Sequence, residues 1–257
     1  MNHMPYRCEP SQPTQALFWP RLRKQWRRVL ASVPAHCVLC GNSASGGALC
    51  TYCEHAVTRS MRQATPRCRL CALALDGAGS CPDCALRTPS FDHVVAAFDY
   101  AAPGDLLVHQ LKVDRRYGHA NMLACLLADA LRRAGSIGPA ATILVPVPAS
   151  PAALRKRGFN PAAEVARCLA AELQWPCRPR LLTRTREGRK QTHLARAERV
   201  HSARHLYHCP QQLQGASVAV VDDVLTTGST LHSIAQVLKQ AGAATVTGLV
   251  LARTPYR

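Results

Sequence analysis

The sequence predicts an α/β fold, a parallel sheet flanked by helices, with a small cysteine-rich metal module in front of it. Three observations predict this. From residue 91 onward, apolar runs that read as strands alternate with amphipathic helical patterns, the order that builds a parallel sheet. Eight of the thirteen cysteines form four CxxC units within residues 37–84, a density that suits metal knuckles. Ser217 to Leu231 reads SVAVVDDVLTTGSTL, an apolar strand carrying two acids into a loop of small hydroxylated residues and then a helix. At 257 residues the chain holds one small metal-stabilised module and one medium α/β domain. The expected division is a basic leading segment (1–35), the cysteine module (36–90) and the α/β domain (91–257).

The leading segment is polar and irregular to Gln15, then basic from Leu17 to Leu30 with Trp19 and Trp26. It admits two readings, an amphipathic helix leading into the cysteine module or a mitochondrial-style presequence. The helix is preferred because it would help bury the thin core of a small metal module. No apolar run approaches the length that spans a bilayer, so a soluble, cytoplasmic protein is expected.

The CxxC units are Cys37/Cys40, Cys50/Cys53, Cys68/Cys71 and Cys81/Cys84; nine residues separate the units within each half and fourteen separate the halves. Two thiolates on one tight turn make half of a tetrahedral zinc site, and two such turns close it. The repeat predicts two similar modules with one structural zinc each, most simply Cys37, Cys40, Cys50, Cys53 and Cys68, Cys71, Cys81, Cys84; an interleaved pairing stays open. Structural disulfides are the competing reading, disfavoured because no secretory signal is visible and a reducing compartment opposes them. Redox catalysis is weaker, since four matched units exceed what one dithiol site needs. Cys8, Cys125, Cys168, Cys177 and Cys209 are scattered and read as small buried hydrophobes or incidental surface thiols.

In the α/β part, Phe91 to Tyr100 reads as a strand or hairpin with Val94, Ala96, Phe98 and Tyr100 alternating. A helix follows near Asp105–Leu111, leading to Lys112, Arg115 and Arg116. Gly118 to Ala134 carries Met122, Leu123, Leu126, Leu127, Ala130 and Leu131 at helical spacing. Ala141 to Val147 reads as a buried strand ending in Pro146-Val147-Pro148. Asn160-Pro161 reads as a helix cap followed by proline at the first helical position, with Val165, Ala166, Leu169 and Leu173 behind it. Arg180 to Thr183 makes a short strand, and a basic segment without periodicity runs to about Tyr207. The acid-bearing strand (Val218 to Val221), its helix to a stop at Gly242, and a strand from Thr245 to Leu251 complete the order.

The net charge of +17 is unevenly spread. Residues 1–35 carry six Lys/Arg against one Glu, residues 178–207 nine against two, and residues 91–145 five against five. Such clustering fits a polyanionic ligand, nucleic acid or a diphosphate sugar; a solvated basic loop is the bland reading of either patch alone.

The loop Thr226-Thr227-Gly228-Ser229-Thr230 lies between a strand and a helix N-terminus, where backbone N–H groups, the helix dipole and the hydroxyls together suit an anion. Asp222 and Asp223 would repel that anion and suit polyol hydroxyls or a divalent cation. A sugar with a terminal phosphate and vicinal hydroxyls satisfies both ends. The alternative is an ordinary strand–turn–helix with solvated acids, against which the acid pair and loop in this order both argue.

This segment resembles the phosphoribosyl-diphosphate (PRPP) motif of type I phosphoribosyltransferases. The resemblance narrows to the ComF family, a double zinc ribbon followed by a type I phosphoribosyltransferase fold. It is carried in order by the cysteine units, Leu111-Lys112-Val113, Val145-Pro146-Val147-Pro148, Arg157-Gly158-Phe159-Asn160, Lys190-Gln191-Thr192, Val221 to Gly228 and Leu251-Ala252-Arg253-Thr254. Val113 stands where an aromatic is usual and Ser202 where an asparagine is usual. The resemblance implies that Asp222 and Asp223 take the ribose 2- and 3-hydroxyls and organise magnesium. Val224 and Leu225 lead into Thr226, Thr227, Gly228, Ser229 and Thr230, which hold the 5-phosphate. The Pro146–Asn160 segment is the implied pyrophosphate loop: Val147, Pro148, Arg157 and Gly158 meet the leaving diphosphate, Arg157 as a cation and Val147 and Gly158 through nearby backbone N–H groups; a basic loop that only starts the next helix is its bland reading. Arg184 to Arg204 forms a loop closing over the sugar, bringing Arg186, Lys190 and Gln191 to the diphosphate, and Lys112 lines the pocket. Asp222, Asp223, Arg157 and Lys190 are the implied catalytic residues.

The implied reaction is displacement at the anomeric carbon through an oxocarbenium-like state, which needs no strong general base. His193 and His232, near the motifs, read as structural. Implied partners are PRPP, single-stranded DNA and proteins of the competence machinery, because the family is linked to natural competence and the use of external DNA. The rival expectation is a non-catalytic protein that senses PRPP or a nucleotide and binds single-stranded DNA. With only Tyr52 as an aromatic inside the cysteine module, base stacking there has little support.

Overall fold

The computed structural model describes residues 34–45, 49–63, 65–75, 77, 80–136, 138, 142–185 and 206–256. Four strands make the central sheet: β3 (His93–Asp99), β4 (Ile143–Pro146), β7 (Ser217–Leu225) and β8 (Thr245–Arg253). Their order is β3-β8-β7-β4, and every neighbouring pair is parallel. Val95, Ala97, Leu144, Ala219, Val221, Leu249 and Leu251 enter one apolar core, while Val94, Ala96, Ile143, Val145, Val218, Val220, Val246 and Val250 enter the other. Burial on both faces explains why these strands are continuous apolar runs. Of the strand or hairpin expected for residues 91–100, the strand forms, and Val94 to Phe98 are all buried in it instead of alternating.

Helices α4 (His119–Arg133) and α6 (Pro161–Leu173) cover the first face through Leu123, Leu127, Leu131, Val165, Ala166 and Leu169. Helix α7 (Ser229–Gln240) covers the second with Leu231, Ile234, Ala235 and Leu238. Helix α3 (Gly104–Lys112) packs Leu107, Val108 and Leu111 into the first core. Gly248 lets α7 come close: a Cβ there would lie 2.4 Å from a Leu231 methyl. Two-residue strands β5 (Thr183–Arg184) and β6 (Tyr207–His208) pair antiparallel, so Thr183 and Arg184 lie outside the parallel sheet.

The cysteine modules belong to this body. Strands β1 (Pro34–His36) and β2 (Ser43–Ser45) pair antiparallel and lead to α1 (Thr51–Arg62), whose Cys53 and Val57 join Cys37 and Leu49 in the first core. The second module ends in the short helix α2 (Pro82–Leu86), and its Cys71, Leu73 and Cys81 join the second core. The two modules therefore seat on opposite faces. Arg67 fixes the second to the end of β3 through a two-pronged pair with Asp99, at 2.7 and 3.0 Å.

Among the described residues no helix is long and apolar enough to cross a membrane. Residues 1–33 and 186–205, including Arg186, Lys190 and Gln191, lie outside the described residues.

Candidate functional site

The connections leave β4 and β7 in opposite directions. After α6 the chain returns on the far side of β4, where Cys177 bridges Leu144 in parallel, whereas after α7 it returns on the far side of β7 as β8. Neighbouring parallel strands with diverging connections open a crevice at their C-terminal ends. Pro146, Val147 and Pro148 form one lip; Asp222, Asp223 and the hydroxylated loop form the other.

Strand β7 was expected as an apolar run from Val218 to Val221 with the two acids at its C-terminal end. It runs on to Leu225, because pairing with β8 continues through Asp222↔Val250 to Leu225↔Arg253, so both acids sit on rigid backbone. Asp222 is half-buried, and its Oδ1 accepts from the Asp223 N–H at 2.9 Å. Burial first, then the charge of Asp223, push the Asp222 carboxyl up to about 7, against the pull of that N–H and of Lys112. Asp223 pairs with Lys112 Nζ at 2.9 Å; the last turn of α3 thus delivers Lys112 to the acids.

Thr226 and Thr227 are exposed, and Gly228 takes φ 75°, the left-handed conformation that turns the chain into α7. No side chain caps this helix, so its first N–H groups face the loop without a capping acceptor. Thr227 Oγ1 donates to Ser229 Oγ at 3.2 Å and Ser233 Oγ to the Ser229 carbonyl at 3.0 Å. Ser229 and Thr230 are exposed. An anion-attracting helix end therefore stands directly downstream of two carboxylates. His232 is buried and its Nδ1 accepts from the Ser90 N–H, a structural contact.

The opposite lip differs from expectation. Residues Pro151–Arg157 form a helix, α5, capped by Ser150 Oγ on the Ala153 N–H and closed by left-handed Gly158. Arg155 and Lys156 are exposed and Arg157 half-buried, in its last turn. The N–H groups of Val147 and Gly158 themselves are engaged: the Val147 N–H donates to the Val221 carbonyl, extending the ladder, and the Gly158 N–H closes α5 on the Leu154 carbonyl. Pro148 has no N–H to offer. Asn160 locks the segment, its Nδ2 donating to the Val147 carbonyl at 2.9 Å while its Oδ1 caps α6 at the Ala162 N–H. The structure thus brings together Lys112, Val147, Pro148, Asp222, Asp223 and the segment from Val224 to Thr230, with Arg157 on the adjoining helix.

The family resemblance implies no role for Arg253 of the closing motif. Its side chain is only 2% exposed and ties three places together. Nε donates to the Cys71 carbonyl at 3.0 Å, Nη2 to Asp83 Oδ2 at 2.5 Å and to Cys71 Sγ at 3.7 Å, and Nη1 to the carbonyls of Thr226 at 2.6 Å, Thr254 at 2.8 Å and Leu225 at 3.3 Å. The available signal was an arginine inside an otherwise apolar strand, since a buried guanidinium needs partners.

The two cysteine clusters form as the simple pairing predicts. Cys37, Cys40, Cys50 and Cys53 gather in one and Cys68, Cys71, Cys81 and Cys84 in the other, all four sulfurs of each within 4.8 Å of one another. Contacts of 3.6 Å (Cys40–Cys50), 3.8 Å (Cys68–Cys84) and 3.5 Å (Cys71–Cys81) lie close to the roughly 3.8 Å edge of a tetrahedron with 2.3 Å zinc–sulfur bonds. Burial and the neighbouring sulfurs push the Cys53 and Cys84 thiols up, so four thiolates at this spacing call for a cation. The donor set fits zinc. The residue after each first knuckle is left-handed in both modules, Gly41 at φ 75° and Ala72 at φ 58°.

Fold and crevice together define a phosphoribosyltransferase-type domain, and a family model described as "Phosphoribosyl transferase domain" matches residues 152–257. A "DNA utilization protein YhgH" of Salmonella typhi is 35% identical over 88% of this chain and its own entire length. A "Competence protein F" of Haemophilus influenzae is 28% identical over 76% of this chain and 85% of its own. Among solved structures, a hypoxanthine phosphoribosyl transferase of Trypanosoma cruzi aligns at TM-score 0.34 and 18% identity over 53% of this chain and 64% of that one. The chain belongs to the ComF family.

Proposed function

We propose that the crevice binds PRPP, with the 5-phosphate on the N-terminus of α7 among Thr226 to Thr230 and the ribose hydroxyls at Asp222 and Asp223. The observation that carries this reading is an uncapped helix end immediately after two carboxylates at the topological switch point. The diphosphate would then extend toward Arg157 and the segment carrying Lys190 and Gln191. With the Val147 and Gly158 amides engaged elsewhere, cationic side chains supply the main stabilisation of the leaving group.

The reaction is transfer of the phosphoribosyl group: the bond from the anomeric carbon to diphosphate breaks as a nitrogen of a nucleobase-like amine forms the new one. The vicinal carboxylates fit a magnesium ion, which supplies charge neutralisation to the diphosphate when bound. Lys112 holds the Asp223 carboxylate at 2.9 Å and leaves Asp222 to orient hydroxyls. Each cysteine cluster holds one structural zinc, residues 36–90 forming the metal module and 91–257 the transferase domain. The setting is the cytoplasm, where reducing conditions keep the thiolates available.

The names of the relatives, "DNA utilization protein" and "Competence protein F", support a role in natural competence and the use of imported DNA. They also favour a second reading, a PRPP or nucleotide sensor that holds single-stranded DNA. Calorimetry with PRPP and magnesium, run beside a screen of nucleobases for pyrophosphate release, separates the two. Release that is lost in Asp222→Ala/Asp223→Ala supports the transferase. PRPP binding without release, with steeply salt-dependent DNA binding, supports the sensor. Failure of the folded, zinc-loaded protein to bind PRPP sinks both.

A further inference from the structure

The geometry points to Arg253 as the positioning residue of the phosphate loop, coupling it to the second four-cysteine site so that metal at Cys68, Cys71, Cys81 and Cys84 and a sugar phosphate at Thr226–Thr230 strengthen each other's binding. This rests on the phosphate-binding reading of that loop.

The argument begins with the peptide unit. A trans peptide is planar, with its carbonyl and N–H pointing in opposite directions. The carbonyls of Leu225 and Thr226 accept from Arg253 Nη1 at 3.3 and 2.6 Å, so the N–H groups of Thr226 and Thr227, in those same two planes, point away from Arg253. One guanidinium thereby sets the direction of the two donors that open the loop. The Leu225 carbonyl is held further by the N–H and Oγ1 of Thr254, at 3.0 and 2.9 Å.

The other end of the same fork is anchored in the metal module. Nη2 reaches Asp83, between Cys81 and Cys84, and the Cys71 sulfur; Nε reaches the Cys71 carbonyl. A metal on the cluster fixes the Cys71 sulfur and the Cys81–Cys84 turn that carries Asp83, and with them the acceptors of Nε and Nη2. Because the guanidinium is rigid and planar, firmer anchoring at Cys71 and Asp83 holds Nη1 against the loop carbonyls. Among the described residues the first cluster has no such link, and its Cys37 and Cys53 join the core on the opposite face of the sheet.

Coupling of this kind is reciprocal, which supplies a readout independent of catalysis. The full chain, loaded with two zinc ions, is titrated at equilibrium with a chromogenic chelator, with and without saturating ribose 5-phosphate. One of the two ions should be held roughly fivefold or more tightly when the sugar phosphate is present, and the other should not change. Asp83→Asn keeps all four sulfurs and the Nη1 bonds but removes the charged anchor, and should bring the factor close to one while two zinc ions remain bound. Arg253→Lys keeps the cation and removes the fork, and should do the same while all four sulfurs stay in place. Equal zinc affinity with and without bound ribose 5-phosphate overturns the coupling, as does protection that survives intact in both variants. Failure of the wild-type chain to bind ribose 5-phosphate is a different result; it removes the reading of the loop and the coupling with it.

Discussion

Replacing Asp222 with Asn should stabilise the ligand-free protein, and the gain should grow with pH. Asn is nearly isosteric, and its Oδ1 can still accept from the Asp223 N–H, which Asp222 does at 2.9 Å. What it removes is a carboxyl that folding pushes from its ordinary 3.8 to about 7. The sign follows from proton binding. Between pH 4 and 7 the folded wild type keeps a proton that the unfolded chain has released, so its stability falls as pH rises and levels off above 7. The Asn variant has no such proton to keep. Three pH units at 1.36 kcal/mol each set a ceiling of about 4 kcal/mol; partial exposure and Lys112 near the pair reduce the expected gain to about 1–2 kcal/mol at pH 8. Urea denaturation of both proteins, zinc-loaded, from pH 5.5 to 8 reads it directly. The stability gap should widen by at most about 1.4 kcal/mol per pH unit up to 7 and then hold. A gap that is flat with pH, or a variant less stable than wild type at pH 8, refutes the reasoning. PRPP affinity should move the opposite way, the pattern of a site kept at some expense of stability.

Four further outcomes are expected. Asn160→Ala loses the cap on α6 and the bond to the Val147 carbonyl; it should lower stability by about 1–2 kcal/mol, seen as a reduced urea midpoint at unchanged slope. Gly248→Ala puts a methyl 2.4 Å from Leu231 and 3.0 Å from Val94, which should cost about 1–3 kcal/mol and, by shifting the first turn of α7, weaken ribose 5-phosphate binding in calorimetry. Gly41→Ala meets no atom within 4 Å, so only its left-handed backbone resists; a loss of about 1 kcal/mol is expected, and a gain of similar size for Ala72→Gly, each measured by thermal melting of the zinc-loaded chain.

Much of the site was legible because its signals are local. Each CxxC unit, each strand or helix, the acid pair and the hydroxylated loop occupies one short run of chain. Backbone geometry then brings their parts together, as at Gly228 and at the Asn160 cap. The strand bearing the acids was read too short because its last four residues are held by β8, a partner invisible to an apolar count. Helix α5 was read as a loop for a related reason: Ser150-Pro151 is a helix start, but none of its residues is buried, so no apolar stripe announced it.

The sequence by itself determined the parts: which thiols come as CxxC units, which segment can greet an anion, and which runs are apolar enough to be buried. Only the tertiary structure decided their commitments. It gave the Val147 amide to Val221, placed Lys112 on Asp223, set the two cysteine modules on opposite faces, and threaded Arg253 between Cys71 and the loop. The reason is one of range. Spacing along the chain dictates hydrogen bonds within a turn or a strand, whereas Arg253 and Cys71 stand 182 residues apart and meet only because the sheet brings the end of β8 beside the second module.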